Sequence, residues 1–245
     1  KTKVKEVVGP LRDTSNQLVS DNEVMCEILN EYFGSVFTSE DDINALPEVK
    51  HIFDKDSNHM LSKIELTQDI IASKLSKLKI NKAPGVDGIV PRFLVENAEV
   101  LSIPLLCIYR KSLMSGIVPS DWKKANITAT FKKGDKSSSS NYRPVSLTSQ
   151  VCKVLESIVR DNILEHVKEY KLIKESQHGF LKRRSCLTNL LEFLEFVTNY
   201  IDQGYPIDVI YLDFQKAFDK VPHKRLMMKI NALGITGEVF NWITE

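Results

Sequence analysis

The hexapeptide Ile207-Asp208-Val209-Ile210-Tyr211-Leu212 limits the fold more than any other stretch of this chain. It is short, rich in β-branched and aromatic side chains, and it stops at Asp213. Such a run reads as a buried strand that delivers a carboxylate at its C-terminal end. A strand of that kind needs neighbours, because an unpaired edge leaves its backbone donors and acceptors open to association. Most of the other periodic segments are helical in pattern. The expected class is therefore α+β with helices dominating.

The helical segments follow from apolar spacing and end signals. Residues 20–36 open with Ser20 and Glu23 in capping-box spacing and place Val24, Ile28, Tyr32 and Phe33 on one face. Residues 38–62 are acidic and mixed, and read as an irregular linker. A second amphipathic helix is expected over 67–78, with Ile70, Ile71, Leu75 and Leu78 inward, and it stops at Asn81-Lys82-Ala83-Pro84-Gly85. Two more are expected near 92–101 and 104–114, ended by Gly116 and Pro119. Residues 125–131 and 142–147 alternate as short strands around a polar loop. Helices resume at 149–168 and 186–202, and a last one runs over 222–233 with Pro222 in its first turn and Gly234 closing it.

Charge is unevenly laid out. The net formal charge is +1, yet residues 1–80 carry 10 basic and 14 acidic side chains, residues 81–184 carry 18 and 10, and residues 185–245 carry 5 and 8. A basic middle suits a polyanion partner; a solvated lysine face is the plainer reading. Cys26, Cys107, Cys152 and Cys186 are widely spaced with no Cys-x-x-Cys pair, so no structural zinc site is expected. Each lies in an apolar, helix-like context that favours a buried reduced thiol. Those thiols, with no apolar run long enough to span a bilayer and no signal-like start, fit a nuclear or cytoplasmic, non-secreted protein. Lys1 stands where an initiator Met is expected, which fits a processed or partial product.

Four places carry side chains suited to chemistry. Asp213 suits a metal, although a strand-end Asp is more often a cap or turn former; Phe218, five residues on, suits packing against a sugar face or the core. Lys132, Lys133, Lys136 and Arg143, on adjacent strands and their loop, suit a triphosphate, or a mobile hairpin tip. Ala83-Pro84-Gly85-Val86-Asp87-Gly88 makes a tight turn without the spacing of a phosphate loop, and reads as structural. Gln177-His178-Gly179-Phe180, followed by Lys182, Arg183 and Arg184, sets an aromatic beside three cations, as stacking on a base with a grip on a backbone requires. His178 reads as a hydrogen-bonding structural residue rather than a base or ligand.

Taken in order, these segments carry a resemblance. Ala83-Pro84-Gly85-Val86-Asp87-Gly88-Ile89, Trp122 with Lys132-Lys133-Gly134-Asp135, Asn141-Tyr142-Arg143-Pro144-Val145-Ser146-Leu147, Gln177-His178-Gly179-Phe180, and Tyr211-Leu212-Asp213-Phe214 with Lys216-Ala217-Phe218-Asp219-Lys220-Val221-Pro222-His223 resemble the reverse transcriptases of non-LTR, LINE-like retrotransposons, nearest to the jockey and chicken-repeat group. The resemblance begins near residue 9, and Val8-Gly9-Pro10-Leu11 and Tyr32-Phe33-Gly34-Ser35-Val36-Phe37 look like the stretch joining endonuclease to polymerase.

The resemblance implies a right-hand polymerase: an upstream segment over 1–62, fingers and the first part of the palm over 63–204, and the palm's opening strand and helix over 205–245. It implies an N-terminal part only, ending before the palm is complete and before the thumb. Asp213, with the Phe214 carbonyl, matches the family's first metal-binding position. Lys132 and Arg143 match its triphosphate-gripping pair. Phe218 matches the aromatic gate under the incoming sugar, and 177–180 lies along the template, with Lys133, Gln177, Gly179, Phe180, Lys182 and Arg184 on nucleic acid. Two Mg²⁺ ions need several hard carboxylate oxygens, and one aspartate does not hold both. The expected partners are an RNA template, a DNA primer or target and deoxynucleoside triphosphates, with no membrane. The activity is RNA-directed DNA polymerisation in the parent, with the chain alone inactive; the alternative is a non-catalytic nucleic-acid-binding fragment or co-opted fingers module. Leu181 stands where the family commonly has a basic residue, Arg183 where it commonly has Gly, and Thr128-Ala129-Thr130 replaces a more apolar run.

Overall fold

A computed structural model describes residues 8–40, 53, 59–214 and 218–245. Most of the expected linker over 38–62 lies outside the described residues, as do residues 215–217.

The core is made by helices whose apolar residues recur at helical spacing. Helix α2 (Gln68–Ser76) starts where the Thr67 hydroxyl accepts from the Ile70 N–H, and it buries Ile71, Ala72 and Leu75. Helix α4 (Ala98–Ser115) buries Leu105, Tyr109 and Leu113 and ends at Gly116, whose φ of 68° permits the left-handed closing turn. Helix α5 (Gln150–Glu169) is capped by Ser149 and buries Val151, Val154, Leu155, Ile158 and Val159, a stripe at 3.6-residue spacing. Helix α8 (Gly237–Thr244) adds Val239 and Trp242, and the four helices share one hydrophobic cluster. Each fully buried Leu or Ile contributes about 1.5–3 kcal/mol. The exposed ion pairs, Lys63–Glu238 at 3.5 Å and Lys74–Asp161, contribute about 0–1 kcal/mol each. The apolar cluster, not the ion pairs, holds these helices together.

The C-terminal helices are tied in by backbone. Helix α7 (His223–Ala232) turns at Gly234 into α8, and there Leu61 N–H donates to the Gly234 carbonyl (2.9 Å) while Thr236 N–H donates to the Leu61 carbonyl (3.0 Å). His166 Nε2, on α5, lies 2.8 Å from the Leu233 carbonyl. Pro222 offers no side-chain cap to α7; the Glu40 carboxylate accepts from Lys224 N–H instead (2.8 Å).

A second, smaller layer covers the sheet residues. Strands β1 (Leu11–Arg12) and β2 (Leu18–Val19) pair antiparallel, and helix α1 (Asn22–Ser35) follows. Strands β3 (Ala125–Phe131) and β4 (Tyr142–Thr148) pair along their whole length, from Ala125 opposite Thr148 to Phe131 opposite Tyr142. Leu11, Met25 and Leu29 pack on Tyr142, with Ala129 and Phe131 beside them. Helices α3 (Pro91–Glu96) and α6 (Cys186–Asp202) complete the described helices.

The mixed class holds, and so do the β3–β4 hairpin, α2, α5, α6 and α7 to within a few residues. The strand over 207–212 does not form: these residues carry no regular secondary structure, and Ile210, Tyr211 and Leu212 are more than four-fifths exposed. No described strand pairs with them, and a lone strand has nothing to satisfy its backbone. Helix α1 is capped by Asp21, accepting from Glu23 and Val24 N–H, and not by the Ser20 box. Its buried residues are Met25 and Leu29, while Val24 is exposed. The break expected after residue 101 falls at Asn97, and α4 continues through Pro104. In α2, Ile70 faces out. Of the four cysteines, all free, only Cys152 is buried; burial and the Glu156 charge push its thiol up to about 12.

The Ala83–Gly88 turn is structural, as its sequence suggested. A Cβ on Gly85 would sit 2.5 Å from Ser149 N and 2.6 Å from the Thr148 carbonyl carbon, and Gln150 Nε2 donates to the Ala83 carbonyl (2.8 Å). The turn is therefore pressed backbone-to-backbone onto the junction of β4 and α5. Gly85→Ala is expected to destabilise the protein by about 1–3 kcal/mol, the usual cost of overpacking, as read by urea denaturation.

Candidate functional site

The hairpin β3–β4 presents two unlike faces because side chains alternate along each strand. Phe131 and Tyr142, a cross-strand pair, face the N-terminal layer with ring centroids 5.6 Å apart. Thr130 pairs with Arg143 on the opposite face, and Lys132 follows Thr130 by two residues, so Lys132 and Arg143 share that face. The ladder extends to this point, since Lys132 N–H donates to the Asn141 carbonyl (2.8 Å). Both cations are exposed, and neither is ion-paired among the described residues. Thr128 and Thr130 lie beside them and are also exposed. An exposed Arg–Lys pair on one rigid face suits a polyphosphate: Arg supplies a planar fork and Lys a point charge. Lys136 turns back, its Nζ 5.4 Å from the centre of the Phe131 ring, and Lys133 is exposed on the loop.

That loop is built rather than loose. The Asp135 carboxylate accepts from Ser137 N–H (2.9 Å) and from the Ser137 hydroxyl (2.7 Å), which hold its carboxyl below the ordinary range. Asn141 Nδ2 donates to the Asp135 carbonyl (2.9 Å), and the Tyr142 hydroxyl donates to the Lys136 carbonyl (2.7 Å). Gly134, at φ 93°, lets the chain close against Asn141.

The 177–184 segment is fastened to the start of α6. His178 is buried; its Nδ1 lies 2.9 Å from Thr188 Oγ1 and its Nε2 2.6 Å from Glu192 Oε2. Thr188 also closes the capping box with Ser185. Arg184 Nη1 lies 3.5 Å from Glu192 Oε2, so its charge is already partnered, and Gln177 Nε2 folds onto the Gly179 carbonyl (3.4 Å). Lys182 is exposed. Phe180 is 90% exposed at φ 63°, and its ring meets Phe218 edge-on, centroids 6.4 Å apart. A bulky residue at positive φ is a strained outlier, of the kind that gathers at ligand sites.

Asp213 and Phe214 lie on the same exposed, irregular segment. The structure thus gathers Lys132 with Arg143, and Phe180 with Phe218, while among the described residues Asp213 makes no hydrogen bond or ion pair with another site residue. Among the described residues no three His, Cys, Asp or Glu side chains stand close enough to share a metal ion. A single exposed carboxylate does not fit a two-Mg²⁺ site, which needs several oxygens held together. No described helix is long and apolar enough to cross a membrane. Ser137, Thr188 and Glu192 also belong to these networks, outside the residues the sequence singles out. The Asp-x-Ser spacing at 135–137 and the four-residue step from Thr188 to Glu192 were the available signals.

Residues 131–245 match the family described as reverse transcriptase (RNA-dependent DNA polymerase). The chain is 26% identical over 170 residues to a probable RNA-directed DNA polymerase from transposon BS of Drosophila melanogaster, covering 66% of this chain and 18% of that protein. It is 27% identical over 175 residues to the RNA-directed DNA polymerase from mobile element jockey of the same fly, covering 69% and 18%. It is 27% identical over 162 residues to the Pol polyprotein of retrotransposable element R2 of Popillia japonica, covering 66% and 22%. The chain spans about a fifth of the length of these relatives. The resemblance to non-LTR retrotransposon reverse transcriptases is borne out.

Arg183 adopts φ 64°, the left-handed region in which Gly is at ease, at the position where the resembling family commonly carries Gly. A side chain there costs about 1–2 kcal/mol, part of which Gly returns as lost chain entropy. Arg183→Gly is expected to raise stability by about 0.5–1 kcal/mol in urea denaturation, and a loss of stability would contradict this placement.

Proposed function

We propose, from the premise that residues 131–245 are reverse transcriptase family sequence, that this chain is part of the RNA-directed DNA polymerase of a non-LTR retrotransposon. The observation that carries the reading is the placement of Lys132 and Arg143 on one open face of β3–β4, within the matched segment. In this reading the two cations hold the triphosphate of an incoming deoxynucleotide. Phe218 lies under its sugar and excludes a 2′-hydroxyl. Gln177, Gly179, Phe180 and Lys182, with Lys133 and Arg184, follow the RNA template and DNA primer. Residues 63–204 supply fingers and the first part of the palm, and 205–245 open the palm. Asp213, with the Phe214 carbonyl, is one ligand of the Mg²⁺ site. Bound Mg²⁺ supplies charge neutralisation at the transferring phosphate. The described residues do not complete that site.

What these residues do themselves is bind and orient. Charge-assisted contacts to phosphate contribute about 1.5–3 kcal/mol each, roughly ten- to a hundredfold in affinity. Isothermal titration with dTTP at low salt tests the grip: Lys132→Ala and Arg143→Ala are each expected to weaken binding at least tenfold. Equal affinity in both variants would remove the basis of the reading. In primer extension with Mg²⁺, an RNA template and all four deoxynucleotides, the 245-residue chain is expected to incorporate nothing; incorporation abolished by Asp213→Ala would overturn that expectation.

A further inference from the structure

The polar loop between β3 and β4 is not anchored by its own hairpin alone. Arg12, 125 residues away in sequence from Ser137, reaches it twice: its backbone N–H donates to the Ser137 carbonyl (2.8 Å) and its Nε donates to the Ser137 hydroxyl (3.1 Å). Ser137 in turn donates through both its N–H and its hydroxyl to Asp135. The Asp135 carbonyl takes the Asn141 amide, and the Asn141 carbonyl takes the Lys132 N–H. An unbroken hydrogen-bonded path thus runs from Arg12 to the backbone of Lys132. Arg12 is itself steadied, its Nη1 donating to the Asn16 carbonyl (3.2 Å). Its charge adds to the contacts that hold the Asp135 carboxyl low. Beside this path Leu11, fully buried, packs with Met25 and Leu29 on Tyr142, the residue that precedes Arg143.

We infer that Arg12 is a positioning residue for the triphosphate grip, with the β1–β2 layer clamping the loop so that Lys132 and Arg143 are held in register before a nucleotide arrives. The inference rests on the proposed grip and goes further, because it assigns a role in nucleotide binding to a segment that touches no nucleotide. The clamp grips the face of the hairpin opposite to the cations, so it leaves their face open. Its effect is preorganisation: cations already fixed lose less freedom on binding than cations on a loose loop.

The test is a binding series on the full 245-residue chain by isothermal titration, with dTTP and dTMP as ligands. Arg12→Ala and Ser137→Ala, which each remove the Arg12 Nε–Ser137 hydroxyl bond and leave the backbone bond between the two residues in place, are each expected to weaken dTTP binding about three- to tenfold. dTMP, which carries one phosphate, is expected to change less than twofold. Arg12→Lys, which keeps a donor near the Ser137 hydroxyl, is expected to restore most of the dTTP affinity. Added to Lys132→Ala, Arg12→Ala is expected to weaken dTTP by less than when made alone, since the two act on one contact. Circular-dichroism melting of every variant separates loss of the fold from loss of the clamp. Unchanged dTTP affinity in both Arg12→Ala and Ser137→Ala, with Lys132→Ala still damaging, would overturn the inference and leave the grip standing. Equal losses for dTTP and dTMP would also overturn it. Indifference of dTTP binding to Lys132→Ala and Arg143→Ala would overturn the grip and the inference together.

Discussion

The first turn of α5 is the constraint on which the rest of the structure depends. Ser149 and Gln150 are buried there, the Ser149 hydroxyl caps the helix by accepting from Cys152 N–H (3.3 Å), and the Tyr109 hydroxyl donates to the Val151 carbonyl (2.7 Å). Burial drives the Tyr109 phenol far above its ordinary pKa, so it is a permanent donor in that bond. The Ala83–Gly88 turn closes over the same point through Gly85. Strand β4 runs straight into this turn, so whatever fixes the start of α5 also fixes one end of the hairpin that carries Lys132 and Arg143. A small distortion at Gly85 therefore presses on Ser149 by direct backbone contact and passes from there into β4 along the chain.

How much of this was legible in the sequence depended on how local each signal is. The hairpin was readable because its strands are close in sequence and each alternates on its own. Helix α6 was readable because Ser185 and the periodic residues from Leu187 to Ile201 announce it, although no residue of that helix is buried. Residues 207–212 misled for the opposite reason. β-branched composition reports what a segment does when a partner strand is beside it, and pairing is a non-local fact that composition does not contain. Helix α8 escaped notice because eight residues give too little period to read. In α1, Ser20 and Asp21 are both good caps, and choosing the wrong one shifts the inferred buried face by a residue, enough to exchange Val24 for Met25.

The candidate site divides the same way. That Lys132 and Arg143 lie near one another follows from a short hairpin; that they share a face needs the register, which the structure supplies. The role of His178 as a hydrogen-bonding residue was readable, but its partners Thr188 and Glu192 were found only once α6 was placed against it. The link from Arg12 to Ser137 had no signature in the sequence, because a salt-free hydrogen bond across 125 residues leaves no spacing rule behind.

The described residues thus contain two kinds of surface. The hairpin is held at both ends, by the start of α5 at one and by the β1–β2 layer at the other, and only its polar face is left for a ligand. A surface fixed in this way binds by preorganisation and loses little on closing around a polyphosphate. Among the described residues the segment that carries Asp213 has no such support: Val209, Ile210, Tyr211, Leu212 and Phe214 are exposed together, a concentration of apolar side chains that water does not favour. Tyr211 finds only a loose ring contact, 6.2 Å from Phe193 of α6, whose own apolar side chains Leu187, Leu190, Leu191 and Leu194 are also exposed. A carboxylate on an unsupported segment cannot hold a metal rigidly, whereas cations on a clamped hairpin can hold a phosphate. Within these residues, capture of a nucleotide and assembly of a metal centre are therefore separable properties, and only the first has its geometry built in.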